Sequence, residues 1–563
     1  MLAQISRNKK IAIMIAVMLG ILLSALDQTI IGTAMPRIVQ ELHGLEHLSW
    51  VFTAYMLAST IAVPIYGKLS DIYGRKNFYL LGIFIFLIGS ALSGLSQNME
   101  QLIAFRAFQG IGGGAIMANS LAIIADIFPP SERGRWQGMM GGIFGVAAVI
   151  GPTLGGWLTD NISWRWNFYI NVPIGILTLA VLWLVMPKIV TKVKDRVIDY
   201  AGGIFLSTTL VPLLLGFVWG GTQYPWASWQ IVSLFIASMV SLVIFTLVES
   251  KAKEPILPLD LFKNSIFTTS AVITFLTAFG MFGAIVYIPL FAQLVTGVSA
   301  TNSGVILTPM MIGLVITSAV SGQIVSKTGR YKLSALVGLA ITTVALYLLS
   351  KMNIDTSNSE LTRNMIILGG GLGITMPIFV VAVQNIVSHE KIGVATAATQ
   401  LFRSLGSTIG VAIMGTVLNN SLSENLKQVA TSPKFATLSR TFPNLDITSL
   451  DSNKLQAVIS PQVMEEIQTK LAQLPPYQAQ QIRIVLDNFL AQLKIAIANS
   501  VSQIFIIGTF VLGFSILVAL FLKEIPLRKS HDERPTIEEA GVQFALEEGE
   551  FPAQNETTGI EKD

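Results

Sequence analysis

GKLSDIYGRK, residues 67–76, lies between two strongly apolar runs, where a membrane protein turns from one span into the next. A turn whose only task is to hold Lys68, Arg75 and Lys76 on one side of a membrane needs neither Asp71 nor the glycines Gly67 and Gly74. Whether this stretch is a plain topogenic turn or a latch decides what the rest of the chain builds.

The surroundings make lipid the main solvent. Hydrophobic residues are 52% of the chain against 12% charged, and the mean hydropathy is +0.64, so the chain reads as an integral membrane protein. A spanning helix takes roughly 20 apolar residues, because a backbone in hydrocarbon must satisfy its hydrogen bonds internally. Such runs fall near 11–35, 49–66, 78–96, 101–126, 138–158, 168–186, 200–219, 229–248, 266–294, 301–325, 333–350, 364–387, 393–418 and 499–522. They predict an all-α fold of fourteen spans, with Pro64, Pro152, Pro289 and Pro377 tolerated where neighbouring helices cover the backbone.

Arg7, Lys9, Lys10, Lys188, Lys192, Lys194, Arg196, Lys251 and Lys253 gather at the loops on the N-terminal side. Basic loops are retained in the cytoplasm, so both termini are expected inside. The first run is too long for a signal peptide and lacks a small-residue cleavage pattern, so it is expected to stay as helix one. A net charge of +4 follows from this sorting and gives no basic soluble face for nucleic acid. Cysteine is absent, and His43, His47, His389 and His531 lack metal-site spacing beyond the four-residue step of the first two, so no metal is expected.

Residues 419–498 interrupt the pattern with an external insertion, whose part from Pro461 to Ile497 carries helical apolar spacing. It reads either as a helical cap or as a domain that handles substrate or recruits an envelope partner. From Ser530 to Asp563 ten acids meet two basic residues, which predicts a disordered tail.

No phosphate-cradling Gly-rich sequence is present, so an ion gradient is the expected energy source and no cofactor is expected. A proton needs an ionisable side chain inside the membrane. Asp27 lies about 24 Å along helix one, and Arg106, just inside helix four running the other way, matches its depth. A mid-helix charge costs about 2.5–3.5 kcal/mol, so each is expected to face protein or water and the two to pair. They form either a fixed ion pair or a site where Asp27 exchanges a proton for Arg106 or for a cationic substrate.

Five stretches carry a resemblance: GKLSDIYGRK; LDQTIIGTAMP at 26–36; LIAFRAFQGIGGG at 102–114, with Arg106, Gln109 and Gly110; IGPTLGG at 150–156; and WRWNFYINVPIG at 164–175. In this order and with fourteen spans they are similar to the major facilitator superfamily, in particular its fourteen-helix drug:proton antiporters. That resemblance implies two six-helix bundles, export of lipophilic compounds, a conformational latch at Gly67, Asp71, Gly74 and Arg75, and an antiporter motif at Gly151, Pro152, Gly155 and Gly156. Physically, the helix-five glycines allow close approach, for rocking of the halves or for tight packing alone. Asp71 is placed to accept backbone N–H groups at the start of helix thirteen near Gly393, and Arg75 to pair with Asp126.

GQIVSKTGRYK, 322–332, is a fainter copy without the aspartate, so the latch is expected to be asymmetric. The copy sets the domains: an N-terminal bundle over 1–190, an inserted helix pair in 191–264, a C-terminal bundle over 265–522, and the tail 523–563. Substrate is expected at the midplane between the bundles. Gln28, Gln109, Gln384, Gln400 and Arg403 are candidate cavity residues; Arg403 lacks a carboxylate in its bundle and either bonds carbonyls or Gln384 and Gln400, or lines the cavity. Three functions remain open: a proton-coupled exporter of lipophilic or cationic drugs, an exporter or flippase of lipid or another metabolite, and a non-transporting scaffold or sensor. The expected partners are small amphipathic compounds, protons and the bilayer.

Overall fold

The computed structural model describes residues 6–42, 48–187, 197–296, 306–388, 391–430 and 476–527. Among them fourteen helices are long and apolar enough to cross a membrane, and no strand occurs. They are α1 (Arg7–Leu42), α2 (Leu48–Tyr73), α3 (Arg75–Leu95), α4 (Met99–Ile127), α5 (Pro130–Asn161), α6 (Trp166–Val185, broken at Ile170), α7 (Tyr200–Trp219), α8 (Trp229–Glu249), α9 (Ser265–Leu294), α10 (Thr308–Thr328), α11 (Lys332–Leu349), α12 (Asn358–Ile386), α13 (Ile392–Ala430) and α14 (Pro476–Leu520).

Polar residues at the ends start these helices by satisfying their free N–H groups. Asn98 caps α4 by accepting from the Gln101 amide at 2.8 Å, Asn264 does the same for α9, and Ser357 with Glu360 forms a capping box on α12. Pro129 and Pro130 open α5, where a missing N–H costs nothing. The predicted interior prolines lie within α2, α5, α9 and α12.

Helices α1–α6 pack as one bundle, chiefly α2 and α3 on α4 and α5 on α1. Helices α9–α14 pack as a second, chiefly α10 and α11 on α12 and α9 on α13. The pair α7–α8 stands outside both, with α7 against α2 and α13, and its tip puts Trp219 5.4 Å from the Trp50 ring. The bundles meet along α5–α10 and α2–α13.

Those seams are closed at the end of the molecule that carries residues 67–76, called here the motif end. Gly138, Gly141, Gly142 and Gly145 of α5 receive Ser318, Leu314, Val315 and Met311 of α10, and Gly134 sits against Gly322. Glycine removes the bulk that would hold these backbones apart. Toward the other end the bundles separate. Gly32 has open space beside it, Gln28 is exposed, and Phe108 and Ile111 are exposed although α4 is enclosed by α1, α2 and α3.

Several boundaries differ from the sequence reading. The stretch 67–76 is not a loop: α2 runs on to Tyr73, α3 begins at Arg75, and Gly74 alone makes the turn. Its φ of 102° is open to glycine and strained for other residues. The helices outrun the hydrocarbon, so hydropathy ended α2 too early. Likewise α13 continues to Ala430 and α14 begins at Pro476, so the ends of the 419–498 insertion extend the spans, and Leu493 and Ile497 are core residues of the second bundle. The insertion's residues 431–475, the start of the 301–325 span, His43, His47, His389 and the tail from 528 lie outside the described residues.

Candidate functional site

Two buried Asp–Arg clusters occupy the first bundle. The deeper one joins α1, α4 and α6. Arg106 donates from a terminal guanidinium nitrogen to Asp27 Oδ2 at 2.5 Å, and Gln109 Nε2 and Asn171 Nδ2 donate to Asp27 Oδ1 at 2.8 and 3.1 Å. Arg106 also donates to Gln109 Oε1 at 2.8 Å and lies over the Tyr55 ring at 4.3 Å. Asp27 and Gln109 are 0% exposed and Arg106 1%, so the carboxylate is closed to both sides of the molecule in this conformation. A buried pair with every oxygen engaged offsets much of its desolvation cost; removing one partner costs about 3–5 kcal/mol.

The second cluster lies at the motif end. Asp71 is one turn before Arg75 and forms an ion pair with it; Arg75 Nε donates to Asp126 Oδ2 at 3.0 Å and another guanidinium nitrogen donates to Ser70 Oγ at 2.6 Å. The Val394 amide at the start of α13 donates to Asp71 Oδ2 at 2.9 Å. That single bond crosses from one bundle to the other, onto a helix N-terminus that favours negative charge. Gly67 lies against Ala397 and the Gly393 carbonyl, and a Cβ on Gly393 would overlap the Asp71 carboxylate. Lys68 pairs with Glu254 of the inserted segment at 2.6 Å.

The helix-five residues divide. Gly151 and Gly155 pack α5 on Thr29, Ile30 and Thr33 of α1, within one bundle, while Gly156 has open space beside it; Pro152 lies inside α5. The contacts between bundles fall on the glycines nearer the motif end. Gln28 donates to the Ser24 carbonyl at 3.3 Å rather than to Asp27. Gln384 is held by Arg133 and Thr396, at 3.3 and 3.0 Å, and does not bond Arg403, which donates to Gln400 Oε1 at 3.5 Å.

Three participants escaped the sequence reading. Asn171 lies within the stretch WRWNFYINVPIG but was given no role of its own. Tyr55, which also shares a 3.0 Å hydrogen bond with Ser24, carried no signal. Arg133 looked like one more basic loop residue, yet it is buried, donates to the Ala125 and Phe128 carbonyls that end α4, and reaches across the seam to Gln384.

The family model described as Major Facilitator Superfamily matches residues 17–199 and 200–411, together more than half the chain. The chain belongs to the major facilitator superfamily. It is therefore a polytopic membrane transporter and not an enzyme. This transporter is 39% identical over 537 residues to the Multidrug transporter protein MdtP of Bacillus subtilis, covering 94% of this chain and 96% of that protein. It is also 39% identical over 510 residues to Multidrug resistance protein 3 of the same organism, covering 91% and 94%. Among solved structures it is similar to the human organic anion transporter MFSD10 (TETRAN), with a TM-score of 0.57 over 90% of this chain and 100% of that one; at 14% identity this shows the fold alone.

Proposed function

We propose that the transporter is a proton-driven exporter of lipophilic and cationic drugs and other amphipathic compounds, working by alternating access in a bacterial plasma membrane. The motif end and both termini lie on the cytoplasmic side, where the basic loops of the sequence belong. No cofactor takes part. The names of the relatives support drug export; the Asp27 cluster supports the coupling.

That cluster carries the reading. A carboxylate deep in a span persists because Arg106, Gln109 and Asn171 hold it, and all of them lie in one bundle. When the buried cluster transiently opens toward the space between the bundles, a proton on Asp27 neutralises it and frees the Arg106 charge, which destabilises the arrangement described here. The outward-open, motif-end-closed form then gives way to the inward-open one, which releases the proton and admits substrate. The Asp71–Val394 bond and the Arg133–Gln384 bond, which both cross the seam, must break in that step.

Efflux of ethidium from energised cells tests this, with Asp27→Asn compared at matched expression, with and without a protonophore. Protonophore-sensitive efflux that Asp27→Asn abolishes is the expected result. Undiminished efflux in Asp27→Asn removes Asp27 from the coupling, and no efflux of several cations by the unsubstituted protein removes drug export.

A further inference from the structure

The charges inside the membrane are unevenly matched. Among the described residues, the charged side chains well inside the spans are Asp27, Arg106 and Arg403, and the first two are engaged with each other. Among the described residues Arg403 has no ion-pair partner, and the hydrogen bond it makes there, 3.5 Å to Gln400, is at the far limit for such a bond. A guanidinium offers five N–H donors, so most of its capacity is unused.

Its position says where that capacity points. Arg403 lies about 16 Å along α13 from the motif end, near the midplane. Leu401 and Leu405, two residues to either side, join Leu206 and Leu210 of the peripheral helix α7 in one apolar cluster. Two residues rotate a helix by about 200°, so Arg403 projects from the face opposite Leu401 and Leu405. It is only partly buried there, and an arginine at this depth belongs against protein or water rather than lipid. In the same part of the bundle α9 carries Ser270, Thr274 and Thr277 at helical spacing, with buried hydroxyls that have no partner; α9 and α13 touch where Gly406, one turn beyond Arg403, meets the Phe275 backbone.

We propose that Arg403 is the docking point for an acidic oxygen group, a carboxylate or a phosphate, on an amphipathic compound that enters the space between the bundles. This deepens the export reading and rests on it: the transporter accepts anionic and zwitterionic amphiphiles as well as cations. A planar fork suits two carboxylate oxygens at once, and a charge-assisted pair of that kind discriminates strongly against an analogue that cannot accept it.

The test is binding of 11-(dansylamino)undecanoic acid and of its methyl ester to the purified full chain, followed by dansyl fluorescence, with Arg403→Gln and Arg403→Lys alongside. The expected result is binding of the acid about tenfold tighter than the ester, a preference lost in Arg403→Gln and reduced in Arg403→Lys, which keeps the charge without the fork. Thermal stability in phosphatidylcholine bilayers with and without phosphatidylglycerol identifies the source: stabilisation by phosphatidylglycerol that disappears in Arg403→Gln, without a preference for the acid, assigns the site to a lipid headgroup. A preference for the acid that survives Arg403→Gln, or neither preference nor lipid effect, overturns the proposal. If Arg403→Gln does not fold, Arg403→Lys binding acid and ester with the unsubstituted protein's full preference also overturns it. Because binding is read without transport, failed ethidium efflux beside intact acid binding would sink the export reading and leave this site standing.

Discussion

Gly67 and Gly322 head the two copies of the motif stretch, and each brings its helix against the opposite bundle, Gly67 onto Ala397 and Gly393 of α13 and Gly322 onto Gly134 and Arg135 of α5. Seven residues on, Gly74 and Gly329 both take positive φ, 102° and 69°, and turn the chain into the next helix. The copies part company in their charges. Arg75 is buried between Asp71 and Asp126, and Asp71 holds the Val394 amide across the seam. Its counterpart Arg330 is exposed, and Ser326 stands where Asp71 would be. The residues after it turn inward to their own bundle: Tyr331 donates to the Lys523 carbonyl at 2.9 Å, and the Lys332 amide donates to Glu524 at 3.1 Å. Burial pushes the Tyr331 phenol up, so it remains a donor at any ordinary pH. The two copies share the steric half of a closure device, and in the first Asp71 and Asp126 around Arg75 add an ionic half.

Substitutions on either side of that difference should separate the two halves. The largest effect is expected from Arg75→Ala, which leaves Asp71 and Asp126 buried without their cation; about 3–5 kcal/mol of stability should be lost in thermal unfolding of the detergent-solubilised protein. Next, Gly67→Val and Gly322→Val should cost about 1–3 kcal/mol each and impair transport alike, because each places a branched side chain where the other bundle already lies, the Ala397 methyl for Gly67 and the Gly134–Arg135 backbone for Gly322. A large effect from one alone would show that the seams are not equivalent. Smallest is Arg330→Ala, at an exposed position, where the loss should be no more than about 1 kcal/mol with transport intact. A collapse of transport in Arg330→Ala would mean that the second copy is also an ionic latch.

The contrast also explains what a sequence can disclose here. Fourteen spans follow from apolar run length, and the depth match of Asp27 and Arg106 follows from counting residues along two helices of opposite direction. Helix ends did not follow, since α2 carries its motif residues on polar turns that look like a loop and end only at Gly74. Glycine in α5 announces close approach but does not name the neighbour: Gly151 and Gly155 meet α1, whereas Gly138 and Gly142 meet α10. Asn171 and Arg133 act through partners 144 and 251 residues distant, Asp27 and Gln384, and no local pattern encodes such a meeting.

The central claim is that a proton on Asp27 releases the closure at the motif end. The chain has no cysteine, so Ser321→Cys, in the α5–α10 seam, supplies a single thiol whose alkylation rate reports opening of that end. In purified protein the account predicts that adding Asp27→Asn, which mimics the protonated acid, raises the alkylation rate several-fold, and that adding Asp71→Asn raises it as well. A rate that rises with Asp71→Asn but stays unchanged with Asp27→Asn would contradict the coupling and leave Asp27 and Arg106 as a structural ion pair.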